Sequence, residues 1–174
     1  MIDNEFKNIL IGRLAGLNVN GLIKYMEESG AKYKKANLRD AYGMSSIDTV
    51  YIDFDIIPND FMLYFVIIHE TSHYKRIKKL GVGKILENLS SDNFDYFNNF
   101  LLGEEIICDR YASLLYYHFN KKNYPKHWTQ CLDRDINKEK YRQMIRSFHK
   151  KIENNEESFN KFIESFIIKK EIND

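Results

Sequence analysis

The chain has 174 residues, a formal net charge of +1, 44% hydrophobic and 14% aromatic residues, and only two prolines. That length suits one domain with a proper core, and the composition excludes an intrinsically disordered chain. A charge balance this close to zero gives no global electrostatic case for nucleic acid, and no apolar stretch reaches about 18 residues without charges, so neither a nucleic-acid nor a membrane partner is expected.

In chain order, helices are predicted over 3–14 and 19–29; the second carries Leu22, Ile23 and Met26 on one face and stops at Gly30. Strands are predicted over 31–37 and 48–54, with a turn-rich segment from Asn37 to Ser46 between them. The run Phe61-Met-Leu-Tyr-Phe-Val-Ile-Ile68 opens a helix over 61–80. Pro58-Asn59-Asp60 supplies its start chemistry, Lys75-Arg76-Ile-Lys78-Lys79 places positive charge where the macrodipole favours it, and Gly81 ends it.

Residues 82–102 read as one or two short helices, capped at Ser90-Ser91-Asp92, with Phe94, Phe97 and Leu101 facing inward. A further helix carries Glu105 and runs to about Phe119. A polar loop over 120–135 follows, broken at Tyr124-Pro125, and helices near 138–152 and 157–170 finish the chain. The last has Phe159, Phe162, Ile163, Phe166 and Ile167 at helical spacing, read as a face packed on the rest of the domain rather than a docking helix. The expected organisation is a single domain over 1–174, with a core at about 20–120 and a helical C-terminal extension at about 121–174.

The chemistry concentrates in His69-Glu70-Thr71-Ser72-His73, an HExxH pattern at the end of the apolar run. Positions i and i+4 project from one face of a helix, one turn apart. Two imidazoles there can share one metal at about 2.0–2.1 Å each. Glu70 lies roughly 100° around the helix, beside the metal rather than on it, which suits a general base for a zinc-activated water. The alternative is a core helix whose histidines are merely packed. Paired imidazoles flanking a glutamate on an apolar helix are costly to bury without a metal, so zinc is the expected cofactor.

A catalytic zinc needs three protein ligands and an open position. The extended pattern HExxHxxGxxH fails here, because its glycine position holds Arg76 and its third histidine position holds Lys79. Glu105, on the downstream helix with Asp109, Ala112 and Tyr116 on one side, can reach across as the third ligand. Asp109, one turn later, can accept the N–H of a ligand histidine and fix its tautomer. Cys108 is expected to be a small packed residue; it and Cys131 do not make a disulfide framework.

His69-Glu70-Thr-Ser-His73 followed by Glu105-x-x-x-Asp109-x-Tyr111-Ala112 resembles the ImmA/IrrE metallopeptidase family, within the glutamate-zincin group. Cys108 stands where that family has a small alanine, and Tyr111 where it has phenylalanine. The resemblance covers roughly residues 20–120. It implies a zincin-like α+β fold, mostly helical, with a small antiparallel sheet beside the HExxH helix. It also implies a zinc-dependent endopeptidase of the kind found in bacteria, phages or mobile elements, whose polypeptide substrate is commonly a regulatory protein.

The expected function is therefore metallopeptidase: His69, His73 and Glu105 hold zinc, Glu70 acts as general base, and Asp109 supports a ligand from behind. Residues 48–54, just before the metal helix, are expected to offer edge hydrogen bonds to an extended peptide. No oxyanion donor is identified; His118, His127, Tyr111, Tyr116 and Tyr124 read as surface or packing residues. The start Met1-Ile-Asp-Asn-Glu-Phe-Lys7 lacks the pattern of a secretory signal, so a cytoplasmic location is expected. Two competing readings are a non-catalytic protein that keeps the zincin scaffold with a structural zinc, and a zinc hydrolase acting on a non-peptide amide.

Overall fold

The computed structural model describes residues 1–39, 41–84 and 94–121. Their order is α1 (Asn4–Arg13), α2 (Val19–Ser29), β1 (Lys32–Lys35), β2 (Gly43–Ser45), β3 (Thr49–Ile52), α3 (Asp60–Leu80) and α4 (Phe94–Asn120). The architecture is α+β and mostly helical, with one three-stranded sheet. The expected polar loop, the two C-terminal helices and the Ser90-Ser91-Asp92 cap lie outside the described residues.

Local chemistry sets the helix ends. Asp3 caps α1 by accepting from the Phe6 N–H at 2.7 Å, Asn18 caps α2 through the Gly21 N–H at 2.9 Å, and Asn59 caps α3 through the Met62 N–H at 3.0 Å. Gly30 closes α2 at φ 76°, a left-handed conformation in which a glycine carries no Cβ penalty. Arg13 ties α1 to the turn before α3, donating to the Phe54 carbonyl at 2.9 Å and the Ile57 carbonyl at 3.3 Å.

The sheet has order β1-β3-β2 and is mixed. β3 pairs parallel with β1 (Tyr33 opposite Val50) and antiparallel with β2 (Met44 opposite Tyr51). Two expectations are corrected here. The sheet is not antiparallel throughout, because the chain from β1 travels out to β2 before returning as the central strand. And β3, paired on both sides, is not an edge: among the described residues the free edge near α3 belongs to β2, a strand of three residues within the segment read as turn.

α3 is the spine of the core. Met62, Leu63, Tyr64, Phe65, Val66, Ile67 and Ile68 are all buried, so this half of the helix is covered on every side. Phe6, Leu10, Leu22, Met26, Tyr33, Val50 and Ile52 close around it from α1, α2 and the sheet. Phe6 stands edge-on to Phe54 at 4.8 Å between centroids, and Tyr64 edge-on to Tyr116 of α4 at 5.5 Å.

α4 corrects a third expectation. It starts at Phe94 and runs unbroken to Asn120, so the end of the segment expected as one or two short helices over 82–102 and the expected Glu105 helix are one element. An interior glycine, here Gly103, costs a helix about 1 kcal/mol relative to alanine, too little to break an element packed along α3. The end of α4 is tied down by Asn18, whose side chain donates to the Phe119 carbonyl at 3.1 Å and whose N–H donates to Asn120 Oδ1 at 2.7 Å.

Leu63 has no exposed surface and lies at the centre of the cluster. Leu63→Ala should lower the unfolding free energy by about 3 kcal/mol, read as a fall in the urea midpoint with the slope unchanged.

Candidate metal centre

α3 and α4 run antiparallel, and the register is visible in residue pairs: Phe61 against Tyr116, His69 against Asp109, His73 against Glu105, Arg76 against Glu104. Spacing along α3 does the rest. Phe61, Phe65, His69 and His73 recur every fourth residue and share one face, and the 105–109–112–116 side of α4 meets it. The sequence-derived ligand set is therefore brought together by the packing of two helices.

His69 Nε2 and His73 Nε2 are 3.0 Å apart. Glu105 sends Oε2 to within 3.2 Å of His69 Nε2 and Oε1 to within 3.1 Å of His73 Nε2. A tetrahedral zinc bound at about 2.0–2.1 Å has ligand–ligand edges of about 3.3–3.4 Å, so the three donors sit within a few tenths of an ångström of that spacing. These three residues are the group with metal-holding geometry among the described residues.

The donor chemistry fits a cation as well as the distances do. Asp109 Oδ1 lies 2.8 Å from His69 Nδ1. A carboxylate only accepts, so Nδ1 donates and the neutral ring turns the lone pair of Nε2 towards His73 and Glu105. Two such lone pairs and a carboxylate facing each other at about 3 Å repel unless a proton or a cation lies among them. Phe65 stacks against the His69 ring, centroids 6.1 Å apart and planes 29° apart, and fixes its tilt.

Electrostatics tells the same story from the proton side. Burial disfavours the charged form of His69, but the hydrogen bonds to Asp109 and Glu105 and the charges of Glu105 and Glu70 outweigh it, holding the imidazole well above its usual value. Burial likewise raises Glu105, yet the neighbouring His73 and His69 hold its carboxyl well below the usual carboxylate range.

Glu70 points to a different neighbour, as its position on the helix requires. Ser45 of β2 directs its hydroxyl at the Glu70 carbonyl (2.6 Å) and at Oε2 of the Glu70 carboxylate (2.8 Å). Two residues earlier, Gly43 leaves the space that the Glu70 side chain uses: a Cβ there would lie 2.6 Å from Glu70 Cγ and 3.0 Å from Val66 Cγ1. Gly43 and Ser45 were missed in the sequence because a three-residue strand has no period to detect. A glycine two positions before a serine was the one available hint.

Of the other residues weighed from sequence, Cys108 is buried, and burial together with the charges of Glu105, Glu70 and Glu104 raises its thiol, so it stays protonated. Tyr116 is packed against Phe61 and Tyr64, Tyr111 is exposed, and His118 is exposed beside Phe119. His127 and Tyr124 lie outside the described residues.

Two outcomes are expected. Asp109→Ala should weaken zinc binding about 10–100-fold, measured by competition with a chromophoric chelator. The second concerns pH. His69 is raised on folding, so its contribution to the metal-free protein is complete below about pH 6.5 and is lost as pH rises through its folded value. Glu105 is lowered, so its contribution is present above about pH 4.5 and is lost on acidification. Chelator-treated protein should therefore be most heat-stable between about pH 4.5 and 6.5, while stabilisation by added zinc grows with pH as the imidazole proton is released. A zinc-induced rise in Tm that is flat from pH 5.5 to 8 would contradict the assignment of His69.

Known protein families, curated proteins and solved structures were all compared with this chain, and none matches.

Proposed function

We propose that the chain is a zinc-dependent metallopeptidase, with His69, His73 and Glu105 as ligands and Glu70 as general base. The observation that carries the reading is the convergence of the three donors at 3.0–3.2 Å with Asp109 bonded to the far side of His69. A purely packed histidine pair has no need of two carboxylates, one on each side of the same ring.

When bound there, zinc supplies Lewis acidity and brings a water's pKa down towards about 7. The chain's own residues do the remaining work. Glu70 takes the proton of the attacking water at a carboxylate oxygen while the water oxygen bonds to the peptide carbonyl carbon. The C–N bond then breaks, and Glu70 delivers that proton to the leaving amine. Ser45 holds the Glu70 carboxylate from the strand side, which limits its rotamers and keeps it aimed.

The polypeptide is positioned by β2. Asp53 N–H bonds to the Tyr42 carbonyl and Ser46 N–H to the Thr49 carbonyl, so residues 42, 44 and 46 turn their backbone groups towards β3. Gly43 and Ser45 therefore present theirs to the open side. An extended peptide adding to that edge takes up these N–H and C=O groups next to Glu70. The substrate is a polypeptide, with a regulatory protein as the natural class by the family resemblance, and the action is in the cytoplasm.

The test uses zinc content and cleavage of a broad peptide library, scored by mass spectrometry, for wild type, Glu70→Gln and His73→Ala. Glu70→Gln should keep its zinc and lose cleavage by about 10²–10⁴-fold, whereas His73→Ala should lose the metal. Wild-type protein that holds zinc yet cuts no peptide would instead favour a binding scaffold with a structural zinc.

A further inference from the structure

Immediately beside the ligand triangle, Arg76 and Glu104 form a second cross-helix pair: the guanidinium donates through Nε and Nη2 to both carboxylate oxygens of Glu104. Arg76 is three residues beyond His73 on α3, and Glu104 directly precedes Glu105 on α4. Their side chains are 28% and 15% exposed, so the pair is largely screened from water.

The position of this pair creates a problem of selection. Two adjacent carboxylates reach the α3–α4 seam, and a site of two histidines and one carboxylate needs only one of them. An unpaired Glu104 would compete for the cation or for the His73 imidazole. An unpaired Arg76 would lie one turn from His73, whose Nε2 is 3.1 Å from Glu105 Oε1, and a guanidinium prefers such a carboxylate over water.

The geometry points to Arg76 as a positioning residue for the metal centre: by taking both oxygens of Glu104 it leaves Glu105 as the one carboxylate that reaches the Nε2 atoms of both His69 and His73. This inference rests on the metal reading above. It differs from a simple strap between helices in what it moves: losing a strap lowers the stability of the metal-free protein, whereas losing this pairing changes zinc affinity and coordination. Removing one partner frees a stray charge beside the site, and removing both frees none.

The experiment is a double-mutant cycle of Arg76→Met and Glu104→Gln, read as zinc Kd by chelator competition and as the visible absorption of the cobalt(II) form. Thermal unfolding of the metal-free proteins reports that all four are folded; should Arg76→Met fail to fold, Arg76→Gln completes the same cycle. Each single substitution should weaken zinc about tenfold or more, and the double should return to within about threefold of wild type. The cobalt band should lose intensity in Arg76→Met, as a second carboxylate raises the coordination number, and regain it in the double. Equal Kd values in all four proteins, or a double variant as weak as the weaker single, would overturn the inference. A wild-type protein that takes up no zinc would instead remove the metal reading on which it stands.

Discussion

The antiparallel seam between α3 and α4 is the constraint on which the site depends. No single element contains the ligand set: α3 holds the imidazoles and α4 holds both carboxylates that address them. A slip of one helical turn, about 5.4 Å, would move Glu105 out of reach of both rings. The seam is pinned at its far end by Tyr116 between Phe61 and Tyr64, and at its near end by Arg76 and Glu104. Aromatic volume at one end and bidentate geometry at the other resist sliding in both directions. A pure leucine seam would tolerate it better.

Charge links the proposed metal site to the elevated proton affinity of His69. Glu105, Asp109 and Glu70 bring three carboxylates to one imidazole pair, and no lysine or arginine bonds to any of them among the described residues. Arg76 is committed to Glu104. The site therefore has a deficit of positive charge that a proton on His69 relieves in part and a divalent cation relieves more fully. A proton and a bound cation would compete for the same lone pair, so affinity for one would set the dependence on the other.

Much of this was legible in the sequence, and the parts that were not share a cause. The helix over 61–80 announced itself by Asn59, Gly81 and an uninterrupted apolar run, and His69, Glu70 and His73 by their spacing. Glu105 and Asp109 followed as partners of that pattern, since a Glu four residues before an Asp says little alone but supplies the third ligand and the backing carboxylate that an HExxH helix lacks. β2 had no such signature. Three residues cannot show a period of two, and Gly43 reads as a turn until the Glu70 side chain is seen in the space its missing Cβ leaves. For the same reason β3 was taken as an edge: only pairing partners reveal which strand is central, and partners are tertiary facts. The junction expected near residue 102 failed in the opposite direction: α4 passes through it as one helix.

Thr71 and Ser72, two of the three residues between the paired histidines, show how far the site reaches into the core. Thr71 and Ser72 are buried and turn their hydroxyls back to the carbonyls of Ile67 and Ile68, at 2.6 and 2.8 Å, so neither brings an unmet donor inside. Thr71 Oγ1 also meets the Tyr33 hydroxyl at 2.9 Å, and Tyr33 in turn meets Ser29 Oγ at 3.0 Å, linking α3 to β1 and α2. Burial pushes the Tyr33 phenol up to about 12, against the pull of Ser29 and Thr71, so it stays a neutral hydrogen-bonding group. α3 thus has three separate duties around one turn. His69 and His73 face α4, Glu70 faces β2, and Thr71 and Ser72 face the body of the fold. Small hydroxyl side chains on that third side let α2 and β1 approach closely, and this backing holds the histidine face against α4. A bulky apolar residue at 71 would fill the space used by the Tyr33 hydroxyl and tilt the helix; the ligand geometry would be lost without any ligand being touched.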